Sequence, residues 1–318
     1  MKVELLPKRD APLGFYEELT TKPEATPFHT VEWLAYLEKI VPGAQTHFIV
    51  IEEDSDFLGM MPVILRKKGP IQWISSLPYG TYGGFLMRDH VHIKPLAEPL
   101  RQLLSPRGAV THVVDFNNTL PPLKGFSYSI QLYHFIELDE GYNYIWEKVY
   151  NNAQRNSQRV ARKRGVTARK IESERELKIF YDMYSSTYAE KNTRSFTFEQ
   201  LNLLMKHLKP SGIFHGLLAY YGEEPIAGVV NLFHPSMAVG FLQGSIRKYL
   251  YLRPVNLLVD ETIRDAIESG CRVFNLGVTP KNAEGIVKFK ESFGARRGYF
   301  PVQSRTSLLY RAAKFFLS

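Results

Sequence analysis

The sequence predicts an α/β protein made of two similar domains in tandem, each with a mixed, twisted sheet flanked by helices. The chain has 318 residues, which exceeds the usual size of a single hydrophobic core. Two segments that begin at Phe28 and Phe196, 168 residues apart, share one order of elements. In both, an amphipathic helix stops at a proline and is followed by a strand, a polar turn and a second strand. A repeated α/β unit is typical of a duplicated domain.

The predicted elements around this repeat define the domain boundaries. We place the N-terminal domain at residues 1–142 and the C-terminal domain at residues 143–300. The remaining residues, 301–318, include the basic amphipathic stretch "SLLYRAAKFFLS". We expect this segment to pack back on the N-terminal domain, and contact with a membrane surface is its alternative role.

Composition limits the setting and the partners of the protein. Cys271 is the one cysteine, so neither an intramolecular disulfide nor a cysteine metal cluster can form, and a reducing, cytoplasmic location is expected. The start of the sequence lacks an uninterrupted apolar core, and about 18 apolar residues nowhere run together. We therefore expect neither a signal peptide nor a membrane span, and at most peripheral contact with the inner face of a membrane. The formal charge of +8 and the isoelectric point near 9.3 favour nucleic acid, phosphorylated substrates or anionic lipid as partners.

Four segments resemble the Fem (FemAB-like) family of peptidoglycan aminoacyltransferases, which carry two GNAT folds in tandem. They are "FHTVEWLAYLEK", "NNAQRNSQRVARKRGV", "YLYLRPVNLLVDETIRDAIESGCRVFNLG" and "GIVKFKESFG", and together they span most of the chain. The resemblance implies transfer of an aminoacyl group from the acceptor end of aminoacyl-tRNA to an amine of a phosphorylated muropeptide or lipid-linked precursor. No bound cofactor is required in that reaction. In the related acetyltransferase-like branch the donor is an acyl-coenzyme A.

The segment "GIVKFKESF" contains the candidate catalytic residue, Lys290. In a helix, Ile286, Phe289 and Phe293 share one face, Lys290 lies at its edge and Lys288 points away. A lysine beside an apolar stripe must reach water, a carboxylate or an anionic or electron-rich ligand. The resemblance matches Lys290 to a lysine that stabilises the transition-state charge or the tRNA end, although a salt-bridged or solvated lysine stays open. Phe289 is either core or a substrate-binding cleft wall.

A helix that starts at Trp146 carries a row of arginines. Arg155, Arg159 and Arg162 lie opposite its apolar stripe. They form either a solvated face or a polyanion-binding face for the phosphates of tRNA or of an anionic lipid carrier. No base-reading motif accompanies them, so sequence-specific nucleic-acid binding is not predicted.

Further substrate-binding candidates come from the resemblance. Lys191 and Arg194 stand just before the second repeat, near the place where the family carries an arginine that grips substrate phosphates. Lys39 is a weaker analogue of an N-terminal phosphate-contacting lysine. In the loop "SLPYGTYGGFL", Tyr79, Tyr82 and Gly83 would contact a sugar or peptide, or would form an ordinary tight turn.

Tyr251 stands before Pro254, where a GNAT helix would present backbone amides to a pyrophosphate. The segment "QGSIRKYLYLRP" lacks the glycine-spaced pyrophosphate loop of coenzyme A users, which counts against that cofactor. The nine histidines show no paired metal-ligand spacing, so no metal site is expected.

Three functions remain open from the sequence. The favoured one is a Fem-like aminoacyltransferase that acts on a cell-envelope precursor. The second is an acyl-CoA-dependent N-acyltransferase of an envelope sugar or small amine. The third is a non-catalytic module that binds RNA or a membrane through its basic face.

Overall fold

The computed structural model describes residues 1–79, 82–88, 91 and 93–311. The strands are β1 (Lys2–Pro7), β2 (Gln45–Glu53), β3 (Asp56–Lys68), β4 (Ile71–Ser75), β5 (Leu86–Met87), β6 (Ala109–Val114), β7 (Ser127–Glu137), β8 (Val166–Lys170), β9 (Phe214–Tyr221), β10 (Glu224–Leu232), β11 (Ala238–Ser245), β12 (Val273–Thr279) and β13 (Arg296–Thr306). The helices are α1 (Leu13–Thr20), α2 (Val31–Ile40), α3 (Ala97–Leu104), α4 (Gly141–Tyr144), α5 (Asn152–Lys163), α6 (Glu174–Glu190), α7 (Phe198–Leu208), α8 (Pro254–Glu268) and α9 (Glu284–Ser292).

The first of two compact units consists of residues 1–131 and the described residues from 299 onward. Its strands follow the order β1-β2-β3-β4-β6-β13, in which only the β4–β6 pair is parallel. Apolar side chains of β2, β3 and α3 form its core. Residues 302–306 pair with β6, so this part of the C-terminal segment belongs to the sheet of the first unit.

The second unit, residues 132–298, carries a sheet of order β7-β12-β11-β10-β9-β8. Only β11 and β12 run parallel; the other neighbours are antiparallel. Helices cover both faces of this sheet, as the two sides of strand β10 show. A Cβ on Gly228 would collide with Phe180 of α6, whereas Ala227 and Val229 belong to the core cluster that contains α8. Adjacent strand residues point to opposite faces, so α6 and α8 lie on opposite sides of the sheet.

The predicted repeat is present in both units. In the first, α2 precedes the antiparallel pair β2 and β3; in the second, α7 precedes β9 and β10. Both helices start at a threonine cap: Thr30 accepts from the Trp33 N–H and Thr197 from the Gln200 N–H. The predicted fold class, two α/β domains with mixed sheets flanked by helices, is therefore confirmed.

The units divide the chain between residues 131 and 132, whereas the sequence analysis placed the boundary at 142/143. Residues 132–137 of β7 pair with β12, which assigns them to the second unit. This pairing joins segments that lie far apart in the chain, so no local composition signal marks it.

The continuous helix predicted from Trp146 is wrong. Residues Ile145–Val149 form a π-helical turn, and Tyr150 is extended with φ −64° and ψ 133°. Asn151 then caps α5 by accepting from the Gln154 N–H at 2.8 Å. An asparagine offers the backbone a capping bond that competes with helix continuation, which explains the break.

Candidate active site in the second unit

Strands β11 and β12 separate soon after they meet. Their parallel pairing is confined to Ala238 with Phe274 and Val239 with Asn275. Beyond these pairs β11 continues to Ser245 and β12 to Thr279, and a cavity of about 600 Å³ opens between them. We call this cavity the cleft. The cleft side of β11 therefore presents backbone N–H and C=O groups that β12 leaves unpaired.

An irregularity in β12 shapes one wall of the cleft. The register between β12 and β7 shifts between Asn275 and Val278, and Gly277 has φ +84°. The Gly277 N–H donates to Asn275 Oδ1 at 2.8 Å, which holds the distorted turn. A positive φ favours glycine, so the "FNLGV" sequence permits this bend. As a result, the carbonyl groups of Gly277 and Val278 face Lys290.

Lys290, the predicted catalytic residue, is on α9 in the cleft wall and is only 6% exposed. Its ammonium donates to the Gly277 carbonyl at 2.6 Å, the Val278 carbonyl at 3.1 Å and Thr279 Oγ1 at 3.1 Å. Burial lowers the pKa of Lys290 to about 8. The neighbouring Lys288 is exposed, as predicted. An amine with a pKa near neutrality can exchange protons with a substrate at physiological pH.

The N-terminus of α8 forms a second wall. Arg253 adopts the left-handed conformation with φ 59°, and Pro254 occupies the first helical position. No side chain caps this end, so the backbone N–H groups of Val255 and Asn256 have no side-chain partner there. These four residues all line the cleft. Free amides at the positive end of a helix favour an anionic ligand.

The charges around the cleft have one sign. Lys191, Arg253 and Lys290 line it, and no Asp or Glu is among the described lining residues. The rest of the wall is largely apolar and includes Val229, Leu242, Val259, Phe274, Ile286 and Phe289. The cleft therefore suits a ligand that is anionic at one end and apolar or amide-like along its length.

A buried chain of polar groups continues from Lys290 away from the cleft. Thr279 Oγ1 lies 2.9 Å from Nδ1 of His134, a fully buried residue of β7. His134 Nε2 has no hydrogen-bond partner among the described residues and lies 3.9 Å from Oε1 of Glu291. Burial lowers the pKa of His134, and the Lys290 charge lowers it further. Sequence analysis missed His134 and Thr279 because 145 residues separate them along the chain.

Two of the three predicted polyanion-binding arginines have partners inside the protein. Arg155 donates to the carbonyls of Trp146 at 3.1 Å and Tyr150 at 2.5 Å, at the end of the π-helical turn. Arg162 bridges Asp260 at 2.9 Å and Glu261 at 2.8 Å. Arg159 is exposed. Phosphate binding by this face stays a prediction.

Arg155 and Arg159 should differ when each is replaced by alanine. Arg155→Ala leaves the partly buried carbonyls of Trp146 and Tyr150 without their donor, so we expect it to lower the free energy of unfolding by about 1–3 kcal/mol. Arg159→Ala should change it by less than about 0.5 kcal/mol. If the face binds phosphates, Arg159→Ala should also reduce the slope of log K for RNA binding against log salt concentration by about one. Urea unfolding and binding over a salt series measure both effects; equal destabilisation by the two variants would contradict the assignment.

Of the other predicted residues in the second unit, one lines the cleft and two do not. Phe289 lines the cleft and also packs against the core, so both of its predicted environments are realised. Arg194 is exposed and is not among the lining residues; Lys191, three positions earlier, is. Tyr251 is 58% exposed outside the lining, and Arg164 donates to its carbonyl at 2.8 Å. Substrate contacts of Arg194 and Tyr251 stay predictions.

The remaining candidates belong to the first unit. Lys39 is exposed in the last turn of α2, and Tyr79 is 47% exposed with φ 70°. The Tyr82 ring is buried among Phe116 and other aromatic side chains. Gly83 is buried, and its carbonyl accepts from the Phe116 N–H at 2.8 Å. The ring of Tyr82 thus serves core packing, and the predicted substrate contacts of Lys39, Tyr79 and Gly83 are not tested by this geometry.

Parallel strands that part over a cleft, with an uncapped helix after the first of them, are typical of the GNAT fold. Residues 147–290 match the family described as the acetyltransferase (GNAT) domain. No curated protein matches the chain by sequence. Within the described residues, no helix is long and apolar enough to cross a membrane.

Solved structures extend the likeness to both units. The crystal structure of FemX is 13% identical, with a TM-score of 0.71 over 95% of this chain and 97% of that chain. A tandem GNAT protein from the clavulanic acid biosynthesis pathway (without AcCoA) is 11% identical, with a TM-score of 0.56 over 96% and 98%. L-PGS from Bacillus licheniformis is 14% identical, with a TM-score of 0.53 over 87% and 93%. The TM-scores and coverages show that the chain has a tandem GNAT fold. At identities this low, a shared fold does not show a shared substrate.

Proposed function

We propose that the protein is an amide-forming acyltransferase that transfers an aminoacyl group from the acceptor end of aminoacyl-tRNA to an amine of a phosphorylated cell-envelope precursor. The observation that carries this proposal is the cleft, which joins an unpaired strand edge, an uncapped helix N-terminus and a buried lysine of lowered pKa. Each feature meets one requirement of acyl transfer. These are a place for the acyl donor, a site for its phosphate and a group at the reacting carbonyl.

Phosphate recognition is supported by the α8 N-terminus. Val255 and Asn256 offer their amides, and Arg253 and Lys191 add positive charge. Both aminoacyl-tRNA and acyl-CoA carry phosphates, so this feature favours either donor. The short 3₁₀ helix Arg247–Leu252 occupies the place of a glycine-spaced pyrophosphate loop, which favours the tRNA end over coenzyme A.

Lys290 would act at the reacting carbonyl. As the amine attacks, the carbonyl oxygen becomes negative, and Lys290, which turns cationic by taking up the proton of the amine, stabilises that charge. The lining contains no carboxylate to neutralise Lys290, within the residues the structure describes. The names of FemX and L-PGS among the similar structures support a cell-envelope acceptor. We place the reaction in the cytoplasm, with at most peripheral contact with the inner membrane surface.

Thermal-shift measurements test the donor. A ligand present at about 100 times its Kd stabilises a protein by about 2.7 kcal/mol, which raises Tm by several degrees. We expect such a shift with a non-hydrolysable aminoacyl-tRNA acceptor-stem mimic and with a UDP-linked muropeptide. Arg253→Asn, which retains the left-handed conformation, should abolish the shift with the stem mimic, whereas Arg247→Ala outside the lining should not.

The other outcomes select the alternatives. Stabilisation by acetyl-CoA alone would support the acyl-CoA-dependent N-acyltransferase, which the acetyltransferase domain match also favours. Binding of RNA or anionic vesicles that is unaffected by Arg253→Asn would reject the cleft as the site and support a non-catalytic module.

A further inference from the structure

The starting point is a buried histidine with an unsatisfied nitrogen. His134 is fully buried, and its Nε2 has no hydrogen-bond partner among the described residues. Burying a polar atom without a partner costs about 1–3 kcal/mol, so such an atom needs an explanation. Nearby, Thr279 is 3% exposed and Lys290 is 6% exposed, so the three side chains form a dry cluster.

The cluster is a continuous line of hydrogen bonds. Lys290 Nζ is 3.1 Å from Thr279 Oγ1, and Thr279 Oγ1 is 2.9 Å from His134 Nδ1. A hydroxyl can accept from one neighbour while it donates to the other, and its proton can rotate between them. The line therefore has the connectivity that proton transfer between lysine and histidine requires.

The surroundings of His134 make an imidazolium short-lived. Lys290 and Glu291 of α9 and Arg297 of β13 act on the charge of the ring. Glu291 Oε1 lies 3.9 Å from Nε2 and also accepts from Arg297 Nε at 2.8 Å. Burial, Lys290 and Arg297 oppose protonation of His134, whereas Glu291 favours it, so a proton on the ring would be held only briefly.

We propose that Thr279 and His134 form a proton relay behind Lys290, which stores on His134 the proton that the attacking amine loses. The relay rests on the proposed acyl transfer. Neutral Lys290 has two N–H groups for its three acceptors in β12, so the amine can rotate to turn its lone pair to the attacking nitrogen. It takes a proton from that nitrogen as the C–N bond forms, and the resulting positive charge lies near the negative oxygen. Lys290 then passes a proton to Thr279, whose own hydroxyl proton moves to His134 Nδ1.

The return path balances the reaction. When the bond from the acyl carbon to the leaving oxygen or sulfur breaks, the proton moves back from His134 through Thr279 to Lys290 and onto the leaving atom. The products are one amide and one alcohol or thiol, and the relay ends in its starting state. His134 touches no substrate, so it is a positioning residue whose role should appear in a pH profile.

Histidine NMR tests the relay without any substrate. With ¹³C-labelled histidine, we expect the His134 resonance, assigned with His134→Asn, to titrate at a higher pH in Lys290→Met than in the unchanged protein. The reason is that the variant removes the charge that opposes protonation. Lys288→Met, on the exposed face of the same helix, should leave the titration unchanged. Identical His134 titrations in all three proteins would overturn the relay whatever the reaction is.

Kinetics provide the second test. His134→Asn keeps an acceptor for the Thr279 hydroxyl but cannot take a proton, and Thr279→Val breaks the line. Each should lower kcat about 10- to 100-fold with little change in KM and should alter the pH profile near pH 8. Thr279→Ser should retain activity, and the double variant should be no slower than the slower single one. A fully active His134→Asn would overturn the relay. If Lys290→Met shifts the His134 titration but the protein turns over neither aminoacyl-tRNA nor acyl-CoA, the proposed function is rejected instead.

Discussion

Replacing Lys290 with methionine should lower the rate of acyl transfer by about 100- to 1000-fold, the effect of removing one group that stabilises a developing oxyanion. Lys290 is the cleft lysine with a pKa lowered to about 8, and its amine is held by two carbonyls and a hydroxyl of β12. Methionine fills a similar volume but neither carries a charge nor takes up a proton.

The rate of acyl transfer should also depend on pH in one direction. Because Lys290 must be neutral to accept the proton of the amine, the rate should rise with pH through about 8 and then level off. Methionine at this position should remove that rise along with most of the activity. The assay follows formation of the amide product between pH 6 and pH 9.5, with Lys288→Met as the matched control because Lys288 is exposed on the same helix.

Folding of the variant is checked separately. Lys290→Met leaves the Gly277 and Val278 carbonyls without their donor, so its circular dichroism and Tm are compared with those of Lys290→Gln, which keeps a neutral donor. If both variants are folded and retain the full rate, Lys290 is a structural residue that braces β12.

Asp260→Ala should destabilise the second unit by about 3–5 kcal/mol, because two tyrosine hydroxyls each lose a hydrogen bond to a charged acceptor, worth about 1.5–3 kcal/mol. The Asp260 side chain is fully buried and pairs with Arg162 at 2.9 Å and Arg264 at 3.4 Å. It also accepts from the hydroxyls of Tyr142 and Tyr150, both at 2.9 Å. Its removal leaves two arginines without their buried counter-charge and two hydroxyls without their acceptor.

Glu261 provides the control for this prediction. Glu261 pairs with the same Arg162 at 2.8 Å, but its side chain is 25% exposed, so solvent screens the pair. Glu261→Ala should cost less than about 1 kcal/mol. Urea unfolding monitored by fluorescence measures both values, and a similar loss for the two variants would show that the buried network around Asp260 contributes little.

The sequence was most informative where the evidence is local. The helix periodicity and the proline after each helix predicted both repeats, and Pro254 marked the start of α8. The predicted position of Lys290, at the edge of the apolar face of its helix, agrees with its place in the cleft wall. These features depend on residues within a few positions of one another, so one sequence suffices to read them.

The remaining features depend on contacts between distant segments. His134 meets Thr279 only because β7 pairs with β12. Arg155 lies opposite an apolar stripe in the predicted helix, yet the break at Tyr150 turns it onto backbone carbonyls. In the same helix the polar residues Gln154 and Gln158 are buried and Ala153 is exposed, because both glutamines bond with Asn256 of α8. Tertiary packing therefore overrode the local pattern at each of these positions.

The unpaired half of β11 also bears on solubility. An open strand edge on a protein surface invites pairing with other chains and leads to aggregation. Here the open half of β11 faces the cleft, whose other walls are the start of α8 and the helix α9. A slender extended molecule can reach this edge, whereas the sheet of a second protein is kept away by the helices. The fold thus keeps this strand edge open to a small ligand while the two helices hinder its pairing with another sheet.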